Sequence, residues 1–225
     1  MQFKTIITIW LLILLASCAK SKFLSNDETL FQELQSINYF EYSDLNGVNK
    51  IKAIGIKNLL SSNLLVENYE DIEPSTKRVY HIDGEYLSDW GGIDFFLTKI
   101  QPFCKKTGFE LKVENHVVNW DKSTSSRQES MTMNGRNYDI FKNESIRNAE
   151  GWYIAPVRIA NMLNNELFEQ GFKERFYLIN MENDLYGAFL TYDQYLFYKK
   201  NISDIYWQPH TPKDWMDLYQ ITLKE

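Results

Sequence analysis

Residues 174–191 read ERFYLINMENDLYGAFLT, and the fold is decided there. Glu174–Asn180 is a short run with an apolar centre, Glu182-Asn183-Asp184 is a turn cluster, and Leu185–Thr191 returns as LYGAFLT. Two apolar runs of strand length across a polar turn predict an antiparallel hairpin. A second hairpin is written upstream, in Met131–Phe141, MTMNGRNYDIF. Its Asn134-Gly135 pair supplies the two positive-φ residues of a type I′ turn. Hairpins outnumber strand–helix–strand crossovers in this order. The expectation is therefore an α+β domain with a mainly antiparallel sheet, hairpins near 131–141 and 174–191, and helices packed against it.

Helical periodicity flanks the hairpins. Trp152, Ala155, Val157, Ala160, Leu163, Leu167 and Phe168 predict a long amphipathic helix ending near Gly171. Thr191 caps a helix over YDQYLFYKKN, Asp204–Gln208 reads as a last short strand, and Thr211-Pro212 opens a final helix. Towards the N-terminus, Arg78–Asp83 (RVYHID) reads as a strand. Ser88 or Asp89 then caps a helix that carries Ile93, Phe96, Leu97, Ile100 and Phe103, bends at Pro102 and stops at Gly108. Phe109, Leu111 and Val113 alternate with charged residues as a half-buried strand, and residues 121–130, DKSTSSRQES, read as a polar loop. Ser25–Glu28 fits a capping box for a helix near 27–37. A second helix runs through Val48, Ile51, Ile54 and Leu59, weakened by Gly55. The acidic stretch 67–77 with Pro74 is a loop, whose Glu67, Glu70, Asp71 and Glu73 lack calcium-loop spacing. Residues 26–225 thus form one domain with a small helical part over about 26–66.

Composition excludes several classes. With 44% hydrophobic residues and only 10 Gly and 5 Pro, the chain is neither disordered nor low-complexity. A formal net charge of −6 disfavours a nucleic-acid partner. Two cysteines build no disulfide framework.

The N-terminus reads as an address. Residues 1–18 are MQFKTIITIWLLILLASC: a basic start at Lys4, then an uncharged Ile- and Leu-rich run over Thr5–Ser17. That run is shorter than the ~20 apolar residues a membrane-spanning helix needs and has the form of a secretory signal. Leu15-Ala16-Ser17-Cys18 resembles the lipobox of bacterial lipoproteins. The resemblance implies that a dedicated peptidase removes residues 1–17 and that the Cys18 thiol carries diacylglycerol. It also implies that 18–25 tethers the domain to a membrane. Ala19 after the cysteine, in place of Asp, favours the outer over the inner membrane by the sorting pattern of enteric members of that family. Two or three acyl chains anchor firmly where one is marginal, at ~0.8 kcal/mol per buried CH₂. Cys104, in FFLTKIQPFCKK, then has no partner and suits a buried site.

Few constellations point to catalysis. His81-Ile82-Asp83 puts a His and an Asp on one strand face, with Glu85 or Asp89 near, but metal sites need three or four ligands. Cys104 with His116 or His81 could form a Cys–His pair only if the thiol is exposed. Ser61-Ser62 and Ser123–Ser126 lie in polar stretches with no nucleophile elbow. Trp90-Gly91-Gly92-Ile93-Asp94 lacks the Lys and Ser/Thr of a phosphate-binding loop, and no other cofactor motif stands out. Asp89 with Asp94, or Glu182 with Asp184, are candidate carboxylate pairs of unknown separation.

The most distinctive feature of the chain beyond the signal is aromatic. Residues 186–219 hold ten aromatic side chains. Many fill a core; Tyr192, Tyr195, Trp207 and Trp215 are the candidates for a binding surface, because Tyr and Trp join a large apolar body to a polar tip. Two functions follow as expectations. One is a lipid-anchored envelope protein whose domain binds a protein or glycan partner, with an immunity-type role as one form. The other is an envelope hydrolase using carboxylates or a Cys–His pair. A cleft holding His81, Asp83 and Asp89, or one exposing Cys104 toward a histidine, favours the second; full burial of Cys104 and dispersal of the histidines disfavour it.

Overall fold

The computed structural model describes residues 26–61, 76–88, 91–121, 123–145, 150–181 and 185–223. The lipobox and tether, the Ser25 cap, the acidic residues Glu67 to Glu73, Asp89, and the Glu182–Asp184 turn lie outside them. The helices are α1 (Asn26–Ser36), α2 (Leu45–Ile54), α3 (Ile56–Ser61), α4 (Gly84–Ser88), α5 (Gly92–Lys99), α6 (Gln101–Thr107), α7 (Glu150–Glu169), α8 (Tyr192–Asn201) and α9 (Pro212–Tyr219). The strands are β1 (Val79–Ile82), β2 (Val113–Asp121), β3 (Ser126–Met133), β4 (Arg136–Ser145), β5 (Arg175–Ile179) and β6 (Leu185–Leu190). The class is α+β, with two three-stranded antiparallel sheets in the orders β1-β6-β5 and β2-β3-β4.

The β5–β6 hairpin forms the heart of the first sheet, as its apolar runs require. β6 is the middle strand and is buried along its whole length. The two-residue period of a strand divides its side chains between two cores. Leu185 and Phe189 join Tyr80, Ile82, Phe176 and Leu178 against α5, α6, α7 and the second sheet. Tyr186, Ala188 and Leu190 join Val79, Tyr177 and Ile179 against α1–α3 and α8. The helical N-terminal part thus closes one face of the sheet. The outer edge of β5 is also covered. Asn164 of α7 receives the Phe176 N–H at 2.6 Å and donates to the Phe176 carbonyl at 2.9 Å. Leu178 bridges His210, and Asn180 N donates to Tyr206 O.

Arg78 pins the helical part to the sheet from a fully buried position (0% exposed). Its Nε donates to Tyr39 O at 2.8 Å, Nη1 to Phe189 O at 3.2 Å, and the guanidinium lies 4.1 Å from the Tyr42 ring centre. Glu174, also buried, faces it at 3.6 Å and accepts the Tyr42 hydroxyl at 2.5 Å. Gln194 Nε2 adds a bond to Ile37 O at 3.1 Å.

The second sheet is a meander. Its β3–β4 turn has Asn134 at φ 50° and Gly135 at φ 77°, the signature of the expected type I′ turn. Other expectations need correction. Residues 126–130 are strand, not loop: Arg127 and Glu129 turn inward in step with Met131 and Met133. The strand expected at Phe109 begins only at Val113, because residues 110–112 bond side chains instead. Glu110 exchanges two hydrogen bonds with the Gln170 amide, and Lys112 N donates to Asn134 Oδ1. The helix expected to bend at Pro102 is two helices. α5 ends at Lys99, Ile100 caps both helices, and Pro102 lies in the first turn of α6, where its missing N–H costs nothing. α5 starts after Gly91, not from a Ser88 cap, since Ser88 belongs to α4. Asp204–Gln208 is a single 3-10 turn at Ile205–Trp207, because the Asp204 carboxylate caps Tyr206 N at 3.0 Å. Gly55 divides the second helix into α2 and α3.

Candidate functional site

Thr191 sets the aromatic surface. Its side chain and that of Gln194 form a reciprocal capping box at the start of α8. The cap fixes where Tyr192 and Tyr195 emerge, three residues apart on one helix face. Their rings stack at 6.0 Å and 22°. Tyr195 in turn stacks on Tyr177 of β5 at 4.8 Å and 17°. The three rings grade from exposed to buried: Tyr192 is 65% exposed, Tyr195 intermediate and Tyr177 buried. Burial pushes the Tyr177 hydroxyl up to about 12 and also raises that of Tyr195, so both stay protonated at neutral pH. Lys199 Nζ lies 5.9 Å from the Tyr195 ring centre, and burial lowers its pKa.

Only two of the four aromatic candidates share this surface. Trp207 is half-buried beside Tyr186, at 6.3 Å between rings. Trp215 is a correction: it is 0% exposed, donates Nε1–H to Asn180 O at 2.7 Å and packs on Tyr219, so it belongs to the core.

His81 and Asp83 line a cavity of about 260 Å³ between the end of β1, α4 and α5. Gly92 makes this arrangement possible. A Cβ there would fall 1.8 Å from the Tyr86 carbonyl oxygen, so α4 and α5 approach this closely only over glycine. Asp83 Oδ1 accepts Tyr86 N at 2.9 Å and caps α4. Lys99 closes one end, donating to His81 O at 3.0 Å.

α5 also carries a second polar cluster. His116 of β2 has Nδ1 3.1 Å from Asp94 and Nε2 2.6 Å from Glu129 of β3. Glu129 is buried and pairs with buried Arg127 at 2.5 Å. Arg127 lies 4.8 Å from the Phe141 ring centre and donates to Ser88 O. The bond to Glu129 is the main cause of a raised His116 pKa, reinforced by the Asp94 and Glu129 charges and opposed by burial. Sequence reasoning missed this cluster. The signal was the i, i+2 spacing of Arg127 and Glu129 running straight into Met131 and Met133.

The three histidines are dispersed. His210 sits elsewhere, with Nε2 2.7 Å from Ile205 O and its pKa lowered by burial. Cys104 is buried, and burial pushes its thiol up to about 12, the opposite of a nucleophile. Among the described residues no group of three or more His, Cys, Asp or Glu side chains is placed to hold a metal ion. Comparison with known proteins finds no similarity to build on: no family model, curated protein or solved structure matches the chain.

Proposed function

We propose that this chain is a lipid-anchored lipoprotein of the bacterial cell envelope whose folded domain binds a protein or glycan partner. The observation that carries the binding role is the Tyr192–Tyr195–Tyr177 stack, whose outermost ring stands in solvent while the innermost is fixed in the sheet. Rigid, graded aromatic anchors of this kind concentrate binding energy at interfaces. The anchor rests on Leu15-Ala16-Ser17-Cys18. Among the described residues no helix is long and apolar enough to cross a membrane. One form of the role is an immunity-type protein that neutralises a basic toxin, for which the excess of acidic over basic side chains steers encounter.

The test has two arms. Cells making Cys18→Ala should accumulate an unprocessed chain that takes up no labelled fatty acid; incorporation by that variant overturns the anchor site. Affinity capture with the tagged chain extracted from its own membranes should recover a species that Tyr192→Ala/Tyr195→Ala loses by about tenfold or more, the scale of an aromatic hot spot. Equal recovery with both chains removes the binding role from this surface. A second reading, an envelope hydrolase, has His81 and Asp83 on the lining of one cavity in its favour, and the buried Cys104 and the dispersed histidines against it. Turnover of an envelope substrate that His81→Ala abolishes would replace the binding role.

A further inference from the structure

The cavity between α4 and α5 combines features that together select a ligand. Its floor is core: Ile82, Leu87 and Phe96 are all buried. Its rim is an exposed aromatic pair, Tyr86 and Phe95, set edge to face at 5.2 Å and 82°. Among the described residues, the lining carries Lys99 and Asp83, one of each sign, together with His81. They feel each other's charge, yet among the described residues no ion pair joins them. Instead Lys99 spends one of its three N–H donors on His81 O, and Asp83 spends one oxygen on capping α4. Burial lowers the Lys99 pKa and the Asp83 charge offsets this only in part, so a further anionic group beside the ammonium is favourable.

We infer that this cavity binds a free hydrophobic α-amino acid as its zwitterion, with the carboxylate at Lys99, the ammonium at Asp83 and the side chain against Phe96, Tyr86 and Phe95. A simple anion meets Asp83 and a simple cation meets Lys99; a molecule bearing both signs one carbon apart satisfies the two together. The volume, just under the ~300–1,000 Å³ of drug-sized sites, suits one ring or branched chain and no more. The inference is independent of the Tyr192 surface and stands whether or not that surface binds a partner.

Calorimetry or ligand-observed NMR on the full chain tests it with L-phenylalanine, L-leucine, 3-phenylpropionate and phenethylamine. The expected result is saturable binding of the amino acids, with the acid and the amine weaker by about tenfold or more, the scale of one charge-assisted hydrogen bond. Lys99→Met and Asp83→Asn should each cost about the same factor. Phe95→Ala, at an exposed position, should weaken binding while leaving the melting temperature unchanged. The inference is overturned if neither amino acid binds at millimolar concentration, if the simple acid or amine binds as well, or if Lys99→Met binds unchanged. The ligand series alone decides the matter should a variant fail to fold.

Discussion

His116 sits between two carboxylates that reach it from different elements, Asp94 from α5 and Glu129 from β3. The protonated ring satisfies both, so its pKa lies above the ordinary 6.5. The sign of the pH effect follows. The stabilisation is complete below the unfolded-state value of ~6.5, where the ring is charged in both states. It is lost as pH rises through the higher folded-state value. In urea titrations at pH 6.5 and 8.5, the wild-type midpoint should fall with pH by more than that of His116→Gln. Parallel falls would show that the ring carries no proton linkage. His210 acts oppositely: its pKa is lowered by burial, so its contribution is lost as pH falls below ~6.5. His210 is present in both wild type and His116→Gln, so its contribution cancels in the comparison. The sequence did not reveal this role. The sequence offers His116 only as a partner for Cys104, whereas its neighbours in space are carboxylates 22 and 13 residues away.

At the scale of elements, legibility followed the hydrophobic pattern. The two hairpins, α7 and the capped helices α8 and α9 were readable because apolar periodicity and cap chemistry agreed. β3 was not, because its buried face opens with Arg127 and Glu129 rather than apolar residues. A charged pair satisfies burial through its own salt link, and that leaves no hydrophobic trace in the sequence. β2 was largely hidden for the complementary reason. As an outer strand with most side chains exposed, it has no buried face to impose alternation. Of the candidate site, the neighbouring emergence of Tyr192 and Tyr195 followed from helical spacing, but the burial of Trp215 depends on how α9 returns to the core. The Thr191 cap offers a direct check on α8. Thr191→Ala should destabilise the protein by ~1 kcal/mol in chemical denaturation, the usual worth of an N-cap. It should also loosen the Tyr192–Tyr195 stack, seen as increased quenching of tyrosine fluorescence. A variant with unchanged stability would mean that tertiary contacts alone hold the helix start.

For the molecule as a whole, the Arg78–Glu174 pair joins what the sequence suggested were a main domain and a helical part. The guanidinium is bonded to carbonyls of Tyr39 and Phe189, one on each side of that joint. Removing either charge leaves the other buried. Arg78→Met alone should therefore cost ~3–5 kcal/mol, and Arg78→Met/Glu174→Leu appreciably less than the sum of the two single changes. Additive losses in denaturant titrations would show that the two side chains act separately. The enclosure of β6, paired on both edges and covered on both faces, has a further consequence. Local fluctuations do not expose its amides, so in deuterated water Leu185–Leu190 should exchange last, at the rate of global opening. The amides of β2, on the rim of the other sheet, should exchange first among the strands, and the interval between the two would report how much of the molecule must come apart before its centre meets solvent.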